Sequence, residues 1–398
     1  MTSTPKTMLA ARYVPGNERL VLDDKYPIRA LKDNEVLLKM AAAGVCHTDV
    51  DLLSGVTLDP RTYVMGHEAC GVPVKLGPKV DSKAVHLGQL YSVLLLDSCT
   101  HGVNGTSALV NSLGIGKDGS FSEYFIVSVD MLVPVPDGVP PEVAAIACDA
   151  GITAYHAVQS TAQVKQGDKV LIFGIGGLGH LAVQYAKHFG ATVYVCDFKP
   201  AARKLALELG ATEAFDWIEL NTKTTSGFTV DKTIDFISSS QSFTQAMAAL
   251  QGNDVNFPSS PKLVLVGISP DNLVFNTVSI IQSGVQILGS PYGPRSALVA
   301  ALDLFANGTV RAHVSSEPLE NVNKVIDELR SFTVLGRKVV VAHGSALRVE
   351  NGAASEGVGN GNGEAKEANG EGEGTQSKRN STIRKILNHI PGVSSTSS

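Results

Sequence analysis

Lys169-Val-Leu-Ile-Phe-Gly-Ile-Gly-Gly-Leu-Gly179 decides how this chain folds. After Lys169, the four residues Val170 to Phe173 form a short apolar run with β-branched and aromatic side chains, and the five together read as a buried strand. The glycines that follow fit G-x-G-x-x-G at Gly174, Gly176 and Gly179, and Leu178 to Phe189 continues with helical periodicity. Strand, glycine turn and helix in that order make a dinucleotide-binding fingerprint. Gly174 permits the tight turn, Gly176 lets the backbone approach a pyrophosphate, and Gly179 allows close packing of helix on sheet. Gly177 and Leu178 complete the turn, and the helix start offers N–H donors and a positive dipole end to phosphate. Asp197 stands 18 residues past Gly179, at the end of the next strand, Thr192–Cys196. A carboxylate there accepts hydrogen bonds from ribose hydroxyls and repels a 2′-phosphate, which favours NAD over NADP. Lys199 softens that preference, because a flexible cation tolerates a phosphate. The competing reading is a glycine turn in an ordinary α/β sheet.

Working outward, Ala201 to Leu209 is helical, and Thr233–Ile237, Lys262–Val266 and Val285–Leu288 read as further strands. Strands alternating with helices imply right-handed βαβ units, a doubly wound parallel sheet and an α/β fold class. Residues before about 153 differ. Short apolar runs such as Glu35–Met40 and Tyr124–Val127, broken by Gly and Pro, predict a β-rich domain with functional loops. The expected division is residues 1–153 with 298–343, a dinucleotide domain over 154–297, and a tail over 344–398. A helix over Ala297–Ala306 and a strand over Lys338–Val341 would return the chain to the first domain. In the tail, Asn, Gly, Glu and Ser dominate Asn351 to Gly374, a composition that does not bury enough apolar surface to offset its ordering entropy. Within it, Ile383, Ile386, Leu387 and Ile390 fall on one helical face beside Lys378, Arg379, Arg384 and Lys385. That pattern suits either plain disorder or a short docking element.

The chain has 398 residues, 43% of them hydrophobic, enough for two full-sized cores. A net charge of −5 gives no footprint for nucleic acid. No run reaches the roughly 20 apolar residues of a membrane span, and no N-terminal run resembles a signal peptide. Five cysteines are too few for a disulfide framework in a chain this long. A cytoplasmic protein with free or metal-bound thiols is therefore expected.

Gly44-Val-Cys-His-Thr-Asp49 and Gly66-His-Glu68 carry the remaining chemistry. Cys46 and His67 are ligand types that together supply two of the three protein ligands of an open zinc site. Either residue alone also occurs as an ordinary core side chain. Metal plus dinucleotide points to hydride transfer on an alcohol or a carbonyl.

These segments, with Ala150-Gly-Ile-Thr-Ala-Tyr155, the glycine fingerprint and Gly336-Arg337, resemble the zinc-containing medium-chain alcohol dehydrogenases over roughly residues 8 to 343. The resemblance implies a GroES-like β-rich catalytic domain wrapped around a Rossmann domain, one catalytic Zn2+, NAD, and a small alcohol, aldehyde or ketone substrate. It implies Cys46 and His67 as metal ligands, Asp49 as the group orienting His67, and Glu68 as a transient ligand. The third ligand is Asp149 by register, or Cys148 if the register slips by one. Neighbours on an extended segment point opposite ways, so only one of the two is expected to bind. Thr48 matches the family hydroxyl at the start of a proton relay, and Asp51 stands where that relay often ends on a histidine. His47 and Arg337 match cations near the pyrophosphate. Leu58, Leu94, Leu95 and Tyr292 are candidate pocket residues. Many members also carry four clustered cysteines for a structural zinc. Residues 97 to 112 hold only Cys99, with Asp97 and His101 nearby, so no structural zinc is expected. The family habit of joining Rossmann sheets edge to edge implies a homodimer or homotetramer. Two other functions stay open: a zinc-free enoyl or quinone reductase of the same superfamily, and a non-catalytic dinucleotide-binding protein.

Overall fold

The computed structural model describes residues 4–56, 61–96, 112–250 and 261–342. The tail expected over 344–398, Leu58 and the stretch holding Asp97, Cys99 and His101 lie outside the described residues.

The first strands are β1 (Thr7–Tyr13), β2 (Val21–Pro27), β3 (Glu35–Val45), β4 (Tyr63–Val64) and β5 (Glu68–Leu76). They are followed by β6 (Tyr91–Val93), β7 (Ser112–Leu113), β8 (Gly116–Lys117), β9 (Tyr124–Ser128) and β10 (Leu132–Pro134). Next come β11 (Lys169–Phe173), β12 (Thr192–Cys196), β13 (Glu213–Phe215), β14 (Lys232–Asp235), β15 (Lys262–Leu265) and β16 (Gln286–Gly289). The chain closes with β17 (Val314–Pro318) and β18 (Arg337–Val341).

Strands β11 to β16 form one parallel sheet in the order β13-β12-β11-β14-β15-β16. Its central strand shows why an unbroken apolar run was needed. Val170 and Ile172 join the core on one face, while Leu171 and Phe173 join the core on the other. Successive side chains alternate across a sheet covered on both sides, so every position from Val170 to Phe173 is buried.

A second, largely antiparallel sheet runs β10-β6-β5-β3-β18-β17, with β9 also paired to β3. The chain therefore returns from the parallel sheet to the first one, as the sequence predicts for residues 338–341. The strand begins one residue earlier, at Arg337, and it brings β17 with it.

Two local expectations need correction. The strand predicted over Thr233–Ile237 stops at Asp235. The Asp235 carboxylate accepts the N–H groups of Ile237 (2.8 Å) and Ser238 (2.9 Å) and turns the chain out of the sheet. The segment holding Cys148 and Asp149 is not extended but a π-helical turn, Ala147–Gly151, between the helices Pro141–Ile146 and Ile152–His156. The run from 141 to 156 is rich in Ala, the best helix former, and Pro141 starts it at a helix N-terminus. Adjacent side chains still diverge, because a helix turns about 100° per residue.

At the start of the parallel sheet, Lys232 on β14 is buried against Asp168, with its ammonium also 2.6 Å from the Gln163 carbonyl. Removing one partner of a buried pair leaves the other charge uncompensated. Asp168→Ala is expected to destabilise the protein by about 3 kcal/mol, seen as a lower urea midpoint at unchanged slope. Lys232→Met with Asp168→Leu should recover most of that loss.

Candidate active site

The long strand β3 delivers the first half of the site. It ends at Val45, and Cys46 starts the short helix His47–Asp51. The Asp49 carboxylate turns back to accept the Cys46 N–H at 2.9 Å, which fixes the loop. Its second oxygen lies 3.3 Å from Nδ1 of His67, the residue just before β5. That leaves Nε2 of His67 facing inward, 3.9 Å from an Asp149 carboxylate oxygen. Cys46, His67, Glu68 and Asp149 each offer one ligand atom, and these atoms lie within 4.8 Å of one another. Cys148 turns the other way. Its thiol accepts the Ala69 N–H at 3.2 Å and donates to the Ala145 carbonyl at 3.0 Å, so it packs as a buried side chain outside this group.

Arg337, first residue of β18, closes the site. Its guanidinium makes a buried ion pair with Glu68 and reaches Asp149 at 3.1 Å. Two glycines make room for this arrangement. Gly44 lies directly opposite Glu68 across the β3–β5 ladder, and a methyl group there would collide with the Glu68 carboxylate. Gly177, in the glycine turn, faces the Arg337 guanidinium in the same way. Arg337 thus touches the Glu68 carboxylate on β5, the Asp149 carboxylate on the helical turn, and the glycine turn after β11.

The electrostatics describe a site short of positive charge. Asp49 and Glu68 are fully buried, Asp149 is largely so, and the Cys46 thiol sits beside them. One guanidinium faces this set, and buried charges must be paired. Burial works to lower the His67 imidazole, yet Asp49 and Cys46 outweigh it and hold His67 well above the usual histidine value. Burial works to raise Cys46, but Arg337 leads the attractions that leave the thiol below its usual value. Asp149 is raised, first by burial, with the like charge of Asp49 adding to it. A thiolate, an imidazole nitrogen and carboxylate oxygens are the donor types that a divalent zinc ion takes, and such an ion offsets the excess negative charge. The residues present fit the group.

The glycine turn after β11 makes the other half of the site. Gly174 adopts φ +82°, and its carbonyl lies where a side chain on Gly179 would have to go. Gly176 faces open space, as a backbone meant to approach a ligand should. Leu178 caps the helix Gly179–His188 and is partly buried against the sheet. Asp197 accepts the Ile175 N–H at 2.7 Å and the Lys199 N–H at 2.8 Å, so it is tied to the same turn. The Lys199 ammonium is held by the Val334 carbonyl at 3.0 Å. His47 stacks on Phe332 at 5.3 Å between ring centroids, near the same segment.

Thr48 lies 3.6 Å from the Cys46 sulfur. Asp51 ends the short helix, and burial, helped by Asp49, pushes its carboxyl up to about 6. Leu94 and Leu95 are buried, and Tyr292 bonds the Leu95 N–H (3.1 Å) and the Cys148 carbonyl. Tyr292 thereby pins the turn that carries Asp149, a role that its sequence position did not signal.

Comparison with known proteins agrees with this geometry. Residues 32–137 match the alcohol dehydrogenase GroES-like domain, and residues 177–307 match the zinc-binding dehydrogenase domain. An alcohol dehydrogenase of Geobacillus stearothermophilus is 34% identical over 321 residues, covering 77% of this chain and 91% of that protein. One from Moraxella sp. (strain TAE123) is 32% identical over 325 residues, covering 77% and 91%. The structure of an acetophenone reductase from Geotrichum candidum NBRC 4597, in complex with NAD, superposes with a TM-score of 0.74 at 30% identity, covering 85% of this chain and 98% of that one. The chain belongs to the zinc-containing medium-chain alcohol dehydrogenases, a family that interconverts alcohols and carbonyl compounds by hydride transfer with a nicotinamide cofactor.

Proposed function

We propose that this enzyme oxidises alcohols and reduces ketones or aldehydes with NAD, using one catalytic zinc held by Cys46, His67 and Asp149. The convergence of those ligand atoms carries the reading. When bound, zinc supplies a Lewis acid that polarises a hydroxyl or carbonyl oxygen. Hydride exchange belongs to the nicotinamide. The remaining work falls to this chain. Asp49 holds the His67 ring so that Nε2 faces the site. Glu68 stands in reserve beside the ligands, engaged by Arg337. The glycine turn and Arg337 take the pyrophosphate, with His47 alongside, and Asp197 takes the ribose hydroxyls. Lys199 stays at the ribose rim.

Asp149 replaces the thiolate common at that position and makes a harder ligand at the same charge. Thr48 is the group that exchanges a proton with the substrate oxygen. Asp51 passes it outward, and a carboxyl raised to about 6 suits transfer near neutrality far better than an ordinary one. The acetophenone reductase relative supports aryl ketones and secondary benzylic alcohols as first substrates to test. Residues 97 to 112 offer a single cysteine, so one zinc per chain is the expected stoichiometry. Four cysteines among the described residues are buried and free, in keeping with a reducing, cytoplasmic setting.

A second copy of the chain is the partner that the surface suggests. Strand β16 ends the parallel sheet. Beside it in sequence, Ile268, Val274, Phe275, Val278 and Ile281 are each more than half exposed. Clustered exposed apolar side chains mark interaction surfaces.

Elemental analysis of the purified protein, paired with an NAD-coupled screen of primary, secondary and aromatic alcohols, tests the assignment. Cys46→Ala and His67→Ala are expected to lose zinc and at least about a thousandfold in turnover, as befits removal of the polarising ion. Retention of both metal and activity would refute the ligand set, and a metal-free protein reducing enones with NADH would favour the zinc-free reductase reading. Ile281→Glu is expected to shift the protein to a smaller species in sedimentation. Asp51 also predicts a pH signature. With its folded value raised, the native state holds the Asp51 proton after the unfolded chain has released it, so stability falls as pH rises from about 4 to about 6. Asp51→Asn removes that fall. Urea denaturation at pH 7 should find the variant more stable than the parent, with the gap closing below pH 4.

A further inference from the structure

His180 follows the last glycine of the fingerprint and is completely buried. Both of its ring nitrogens are in use. Nδ1 lies 2.9 Å from the Gly176 carbonyl, and Nε2 lies 3.2 Å from the backbone nitrogen of His313. The His180 backbone N–H also reaches the Gly176 carbonyl, at 3.2 Å. These contacts assign the tautomer. Nδ1–H donates to Gly176, and Nε2 accepts from His313, so the ring must be neutral. Burial agrees, pushing His180 down to about 4.

Each end of this bridge controls a donor of the proposed phosphate site. The peptide joining Gly176 to Gly177 is trans, so its N–H points opposite to its carbonyl. With the Gly176 carbonyl turned inward onto His180, the Gly177 N–H points away from that ring, and the Arg337 side chain lies against Gly177 itself. At the other end, the His313 carbonyl accepts the Arg337 N–H at 2.9 Å. Val314, the next residue, pairs with Arg337 across the parallel β17–β18 ladder. Gln184, one turn along the same helix face, grips this segment too, donating to the Arg311 carbonyl and accepting the Arg311 N–H, both at 2.8 Å. One helix face therefore holds the glycine turn and the backbone that carries Arg337 in fixed relation.

We infer that His180 is a positioning residue for the dinucleotide: its neutral imidazole sets the Gly177 N–H and the Arg337 guanidinium to converge on one phosphate of the pyrophosphate. The inference rests on the glycine turn binding NAD, as proposed above. His180 touches neither substrate nor cofactor and acts through the two groups it orients. An ordinary buried core residue would stabilise the fold without distinguishing phosphate-bearing ligands from others, and that difference makes the role testable.

Full-length, zinc-loaded protein is titrated with NADH by fluorescence, and with adenosine by competition, in the parent, His180→Asn and His180→Gln. Asparagine keeps an amide nitrogen near the Nδ1 position and can still donate to Gly176. Glutamine places its amide near Nε2 and loses that contact. His180→Gln is expected to weaken NADH binding about tenfold, and His180→Asn by about threefold or less, the range of one hydrogen bond. Adenosine, lacking phosphate, should bind all three alike, KM for NAD should rise without a matching change in kcat, and zinc content should be unchanged. Unaltered NADH affinity in His180→Gln, or a greater loss in His180→Asn, overturns the assignment. So does a parallel loss of adenosine binding and zinc, which marks general loosening. A parent protein that holds zinc but binds no NADH overturns the underlying reading of the glycine turn instead.

Discussion

Buried negative charge around one guanidinium organises this molecule. Asp49, Glu68 and Asp149 converge with the Cys46 thiol at the meeting of β3, β5 and the helical turn at 147–151, and Arg337 faces them. Such a cluster is costly in a protein interior unless opposite charge balances it. Arg337 supplies part of that charge and the proposed zinc the rest. Because Arg337 also lies against Gly177, the same group ties the carboxylate cluster to the glycine turn.

Small residues make that geometry possible. Gly44 sits opposite Glu68 and Gly177 opposite Arg337, and at each a single methyl group would push a charged side chain out of place. Backbone pairing then sets the rest. Val339 of β18 pairs with Gly44 of β3, and Arg337 with Val314 of β17, so the register of three neighbouring strands fixes the Arg337 guanidinium against carboxylates from distant parts of the chain. A slip of one residue would turn every such side chain to the opposite face.

Two departures from the family pattern gain physical meaning in this setting. At position 149, a carboxylate gives Arg337 a second acceptor, which a thiolate would provide poorly. At position 51, a carboxylate with its reference value is a weak substitute for histidine in proton transfer. Burial in the folded chain lifts it close to the range where histidine works.

The sequence by itself determined the architecture and much of the cast. The apolar run Lys169–Phe173 with its glycines defined a parallel α/β sheet, because only strands covered on both faces need unbroken hydrophobicity. Cys46, His67 and Asp149 were legible as ligand types in motifs. The amphipathic helix Val322–Arg330 also has a local signature, with Val322, Val325, Ile326 and Leu329 at helical spacing. Other features had no local signature. Choosing Asp149 over Cys148 required a helical turn whose direction depends on packing against Ala69 and Tyr292. Nothing near Arg337 in the chain announces Glu68, 269 residues away, nor does His180 announce His313, 133 residues away. Pattern and propensity act over a few residues, whereas charge pairing and hydrogen bonding act over a few ångströms, and only the folded chain turns the second kind of neighbour into the first.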